Sequence, residues 1–166
     1  MKKYFVLLLV IFVQLSCGYR IAGLDDFSIK EKFYIAEVHN NTAESEFSTI
    51  LTSEVNDFFS KYNLLTKKKE TASNLFVSLK TIDYKSKILQ SYSRAISSDL
   101  SIDVEIVVKR EGMVIYKKSF SDANSYTIST NITETLNNRK NAFIKSLNSI
   151  LMDFLHDYKE KNTDNR

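Results

Sequence analysis

The chain has 166 residues, a formal net charge of +3, 43% hydrophobic and 26% charged residues, no proline, three glycines and one cysteine. This balance excludes an intrinsically disordered chain, a general polyanion binder of the nucleic-acid type and any disulfide within the chain. With glycine confined to Gly18, Gly23 and Gly112, a glycine-rich phosphate loop is excluded as well.

Met1-Lys2-Lys3 followed by the apolar run Tyr4 to Val13 has the form of a secretory signal. Two lysines make a positive start, and ten apolar residues fall short of the about 20 that a helix needs to cross a bilayer. Leu15-Ser16-Cys17-Gly18 is similar to the bacterial lipobox, which implies cleavage before Cys17, diacylation of its thiol by transfer of one diacylglyceryl group with chains such as palmitate, and acylation of the new amine. The competing reading is a buried thiol that follows an ordinary signal. Residues 1–16 are thus expected to be a lipoprotein signal peptide, 17–32 a lipidated tether, 33–158 a single α+β domain and 159–166 a flexible tail. Loss of Lys2 and Lys3 with the signal lowers the net charge to +1, so any basic site must be local. The 150 residues left are enough to bury about 68–70% of their unfolded surface without disulfides or metals.

Phe33 to Val38, rich in aromatic and β-branched residues, predicts a first strand ending at His39-Asn40-Asn41-Thr42. Phe47, Ile50, Leu51, Val55, Phe58, Phe59 and Tyr62 then recur at helical spacing, predicting a helix over about 43–62, with Asn41 and Glu44 as its capping box. Leu75, Val77 and Leu79 alternate with Asn74, Phe76, Ser78 and Lys80 in a second strand reaching about Tyr84. Leu100, Ile102, Val104, Ile106 and Val108 form the clearest period-2 pattern of the chain. Arg110-Glu111-Gly112 predicts a short hairpin loop with glycine at positive φ, and Met113 to Phe120 a returning fourth strand. A polar loop follows. Asn131 and Glu134 then open a long second helix whose apolar side runs from Leu136 to Tyr158.

The order β-α-β-β-β-α predicts a two-layer α+β sandwich, a four-stranded mixed sheet with two helices on one face. The other face, carrying Ser78, Lys80, Ser101, Asp103 and Glu105, is expected to meet water or a polar partner.

Catalysis is hard to assemble from His39, His156 and scattered acids, and no metal-ligand spacing occurs, so no enzymatic activity, metal or cofactor is expected. The segment Lys85 to Ser98 carries Lys85, Lys87 and Arg94, no acid before Asp99, and the apolar residues Ile88, Leu89 and Tyr92. Two readings compete there, a solvated hairpin and an anion site that uses cations beside apolar groups. Lys67-Lys68-Lys69 lacks apolar neighbours and reads as a solvated loop.

Several stretches together resemble the lipopolysaccharide-assembly lipoproteins (LptE-like). They are Cys17-Gly18-Tyr19-Arg20-Ile21-Ala22-Gly23 at the start, Phe33 to Val38 closed by Asn40-Asn41-Thr42, Ala72-Ser73-Asn74-Leu75-Phe76-Val77, and Ala142 in the last helix, with Ser73 where an acid is common. The resemblance spans residues 17–158. It implies a lipid-anchored, periplasm-facing protein of the outer membrane that plugs and helps assemble a β-barrel translocon inserting lipopolysaccharide into the outer leaflet. Lys85, Lys87 and Arg94 would then be candidate contacts for lipopolysaccharide phosphates. Lipoprotein activators of peptidoglycan synthases and the amino domain of the Tol translocation protein are also similar in their strand, Asn-x-Thr and helix. The former usually carry a long linker, whereas only about 15 residues separate Cys17 from the first strand here, a reach of at most about 50 Å.

Overall fold

The structure is a computed structural model and describes residues 31–69, 72–87 and 96–163. Its elements are β1 (Phe33–Asn40), α1 (Phe47–Lys61), β2 (Ser73–Lys87), β3 (Ile96–Arg110), β4 (Met113–Ile128) and α2 (Ile132–Thr163). The strands lie in the order β1-β2-β3-β4. β1 pairs parallel with β2, and the other two pairings are antiparallel. This is the expected mixed four-stranded sheet with two helices.

The alternation in β3 is realised along its whole length. Leu100, Ile102, Val104, Ile106 and Val108 are fully buried and share one core with Phe47, Leu51, Val55 and Phe59 of α1 and Phe143, Leu147, Ile150, Leu151 and Phe154 of α2. Both helices therefore cover the same face. Aromatic rings close the core at the end where β1 begins. Phe33 meets Phe59, Phe154 and Tyr158 edge-on, with centroids 5.4, 6.0 and 5.4 Å away. At the opposite end Phe47 stacks on Phe143 at 4.5 Å.

The outer strands are longer than periodicity predicts, for identifiable reasons. A register shift between Leu79 and Thr81 moves the inward positions of β2 from odd to even numbers. Ile82 and Tyr84 thereby continue the inner row opposite Ile102 and Leu100. β4 runs through the segment expected to be a polar loop, because its inward positions there are polar but satisfied. Asn124 donates to the hydroxyl of fully buried Ser146 and to Asp122, both at 2.9 Å. Length also matters: a helix of 32 residues spans about 48 Å, close to the roughly 50 Å of the 15- and 16-residue strands it lies along.

The helix ends divide between expectation and correction. Asn131 caps α2, its Oδ1 accepting from the amides of Thr133 (2.9 Å) and Glu134 (3.4 Å). Glu134 does not return to Asn131 but accepts from Ser129 Oγ at 2.6 Å. At α1 the predicted Asn41–Glu44 box is not formed, and the helix starts at Phe47 instead of Ala43. Asn40 organises this entry: its Oδ1 accepts from Thr42 N and Oγ1, and its Nδ2 donates to Glu44 O and Ser48 Oγ. Those bonds hold residues 41–46 in turns, so the first helical hydrogen bonds come later. At the other end Asn63, at φ 53°, closes α1. Its amide bonds to Ser60 O and that of Leu64 to Phe59 O, a Schellman arrangement that buries Leu64.

The hairpin loop is tighter than expected. Arg110 still pairs with Met113, leaving Glu111 and Gly112 as the two loop residues, both at positive φ. α2 continues beyond Tyr158, its last buried residue, so the beginning of the expected tail is helical.

Candidate functional site

The uncovered sheet face is the surface that this fold leaves for function. On β3 it presents Asp99, Ser101, Asp103 and Glu105, which lie between β2 and β4 and are held by both. Asp103 accepts from Thr81 Oγ1 at 2.6 Å and from Ser121 Oγ, and Asp99 accepts from Ser125 Oγ. Glu105 bridges Lys80 at 2.8 Å and Lys117 at 3.1 Å. Hydrogen bonds from Ser121 and then Thr81 lower the Asp103 carboxyl below the usual range against the effect of burial. The hydrogen bond from Lys80, then that from Lys117, lowers Glu105 in the same way. Ser119, Ser121, Ala123, Ser125 and Thr127 on β4 face the same way, so this half of the surface is made of small side chains beside carboxylates, while Phe76 and Val107 lie on the same face nearer the hairpin.

Lys85 lies on this face but not in a loop, because β2 extends to Lys87 and β3 begins at Ile96. Its side chain is exposed, and its register partner is Asp99. Asp83 precedes it on the same face, so acids that are distant in sequence or just outside the segment become neighbours of the cation. Lys87 takes the position opposite Ser97. Arg94, Ile88, Leu89 and Tyr92 lie outside the described residues, as do Cys17 and the tether to residue 30. His39 is exposed on β1 opposite Ser78, on the open side. His156 is exposed on α2, across the sheet, so the fold does not bring the two histidines together. Among the described residues no group of His, Cys, Asp or Glu is arranged to hold a metal ion, and no helix is long and apolar enough to cross a membrane.

Two polar clusters escaped sequence reading because their partners come from separate elements. Arg139 of α2 pairs with Glu46 and, at 3.7 Å, with Glu44. Its guanidinium lies 5.6 Å from the ring centroids of both Phe47 and Tyr84. This clamp ties the turn before α1 to α2 and the far half of β2. Burial, and then the charge of Glu44, push the Tyr84 hydroxyl well above its ordinary range. At the other end Asp157 accepts from Tyr116 Oη at 2.7 Å, pairs with Lys118 and lies 3.3 Å from Lys161. Burial, the largest influence, would raise its carboxyl, but Lys118, Tyr116 and Lys161 together hold it at about 2 against an ordinary 3.8.

The sign of the resulting pH dependence follows. A carboxyl lowered by folding stabilises fully above its unfolded value, and that contribution is lost as pH falls through the folded one. The urea midpoint is expected to fall between about pH 4 and pH 2. Asp157→Asn should lower stability by roughly 1–2 kcal/mol at neutral pH and flatten part of that acid limb. Parallel acid limbs for parent and variant would remove Asp157 from this role.

The fold defines a two-layer α+β protein with one polar sheet face left open. No family model and no curated relative matches the sequence. Solved structures do resemble it. A protein of Caulobacter crescentus, provisionally classed as a lipoprotein, is 10% identical, covering 78% of this chain and 92% of its own, with a TM-score of 0.51. A homologue of the neuraminyllactose-binding hemagglutinin from Helicobacter pylori, also a provisional assignment, is 11% identical over 89% and 93%, with a TM-score of 0.51. Rare lipoprotein B from Shewanella oneidensis is 8% identical over 81% and 98%, at a TM-score of 0.43 too low to carry an argument. At such identities the first two likenesses speak for the fold alone. The neighbours of this fold include bacterial lipoproteins.

Proposed function

We propose that this chain is an outer-membrane lipoprotein, anchored through Cys17 and facing the periplasm, that plugs a β-barrel translocon and helps it insert lipopolysaccharide into the outer leaflet. The observation that carries the reading is the open sheet face. Large barrels have polar, water-lined interiors, and a plug for one needs a polar exterior over a core that is complete without it. The Asp99–Asp103–Glu105 ladder, locked by hydroxyls and lysines of the flanking strands, has that character, and the core lies wholly on the other side. The lipobox-like start and the spread resemblance to the lipopolysaccharide-assembly lipoproteins favour the same reading. The activity is occupancy and recognition, without bond-making chemistry.

Co-purification from detergent tests it. The tagged chain is expected to bring down a large β-barrel protein in a one-to-one complex, and lipopolysaccharide with it. Reversing Lys85, Lys87 and Arg94 together to Glu should reduce lipopolysaccharide recovery at least tenfold without loss of the barrel, because each contact turns from attraction to repulsion. Recovery of a peptidoglycan synthase in place of a barrel would replace this reading with that of a synthase activator.

A further inference from the structure

The two ends of the sheet differ in chemistry. β1 and β2 both begin, and the β3–β4 hairpin turns, at one end, since Phe33 pairs with Ser73 and Asn74 with Lys109. The N-terminal segment arrives there. Glu31, the first described residue, is held by Arg110 and by Tyr158 Oη at 2.9 Å, so residues 1–30 must connect at this end. The hairpin tip beside it exposes three successive apolar residues, Met113, Val114 and Ile115, at 67, 54 and 41%. A register shift between Val108 and Lys109 leaves Ile115 as the extra residue of β4, while Val114 and Met113 stay paired with Lys109 and Arg110.

Positive charge gathers at this end of the sheet. The loop carrying exposed Lys67, Lys68 and Lys69 lies at the same end, because Phe33 bonds through its amide to Leu64 O at 2.7 Å and through its carbonyl to Thr66 N at 2.9 Å. Behind the tip lie Lys109, over the Phe76 ring at 4.7 Å, and Lys117, paired with Glu105. Of the acids there, Glu31 is engaged by Arg110 and Asp157 by Lys118 and Lys161, and exposed Glu160 of α2 lies at the same end. Glu70 and Glu111 are the carboxylates that the two loops add. The far end carries both signs, Glu44 and Glu46 held by Arg139 and Asp83 and Asp99 beside Lys85.

We propose that this end docks on an anionic phospholipid surface. Met113, Val114 and Ile115 enter the boundary between headgroups and acyl chains, and the lysines of the 67–69 loop lie over headgroup phosphates. The proposal rests on the lipid-anchor reading for its orientation. Glu31 lies 14 residues after Cys17, a span of at most about 50 Å, so in an anchored body the tether joins at this end. Apolar residues exposed to water on a hairpin tip, at the sheet end that also bears Lys67–Lys69 and the tether junction, then have a partner whose two layers match theirs. Such docking would hold the sheet upright, with its polar face along the membrane normal.

The test uses the full chain purified from membranes and placed in vesicles of phosphatidylethanolamine with phosphatidylglycerol. A thiol-reactive, environment-sensitive fluorophore is attached to Met113→Cys and, in a separate preparation, to Asp83→Cys at the far end. Quenchers attached to the lipid chains are expected to quench the label at 113 and not that at 83. Val114→Asp with Ile115→Asp should weaken this insertion by about tenfold per residue, and high salt or purely zwitterionic vesicles should weaken it too. The parent chain reports separately on the anchor, since an acylated Cys17 takes no label. With Cys17 blocked and the 113 label still in water, the docking is overturned and the anchor stands. A labelled Cys17 with quenching at 113 overturns the anchor and supports docking. A 113 label shielded only when a β-barrel protein is added overturns the lipid assignment.

Discussion

Phe33→Ala is expected to lower stability by about 3–5 kcal/mol, a large part of the 5–15 kcal/mol typical of a single domain. The Phe33 ring joins β1 to both helices. Phe33 begins β1, is fully buried, and packs against Phe59 of α1 and Phe154 and Tyr158 of α2. Its backbone also secures the loop after α1 through Leu64 and Thr66. Removing the ring leaves a cavity among aromatic neighbours that cannot collapse, because Tyr116, Phe154 and Tyr158 already hold one another at 5.4 to 5.5 Å. Urea denaturation should show a lower midpoint with an unchanged slope, and Phe33→Leu should recover roughly half of the loss. A decrease below about 1 kcal/mol would mean that β1 is peripheral to the core.

Cys17→Ala should abolish acylation altogether and leave an uncleaved precursor. The thiol is the atom that would receive the diacyl group, and alanine offers no nucleophile in its place. Each buried methylene contributes about 0.8 kcal/mol, and stable anchoring takes more than one chain, so loss of the thiol removes the attachment outright. Metabolic labelling with a fatty-acid analogue reads this directly, label being expected on the parent and none on the variant. The body should keep its cooperative unfolding transition, because its core lies within residues 33–158. If the alanine variant is still labelled and cleaved, Cys17 is not the acylated residue.

What could be read from the sequence was whatever one element decides by itself. The strict alternation from Leu100 to Val108 places one face of β3 inside, and the spacing from Phe47 to Phe59 turns one side of α1 to it; each pattern repeats with the period of its own backbone. Glu111-Gly112 made the hairpin legible, and Asn131 the start of α2, because a turn and a cap are local devices. The order of such elements then leaves few topologies, and the mixed sheet follows. Other features depend on partners distant in the chain. The continuation of β4 through Asp122 and Asn124 requires Ser146 of α2 to satisfy a polar inward position. The phase change in β2 after Leu79 shows only against its neighbour β3. The start of α1 is delayed by Asn40, a strand residue whose side chain reaches Ser48. For the candidate site, cations between Lys85 and Arg94 were visible in the sequence, but the carboxylates that share the face of Lys85, and the placing of Lys67–Lys69 and Met113 at one end of the sheet, arise only when strands pair. Hydrophobic period is a property of one segment, whereas charge environment and exposure are properties of neighbours, and neighbours exist only in the folded chain.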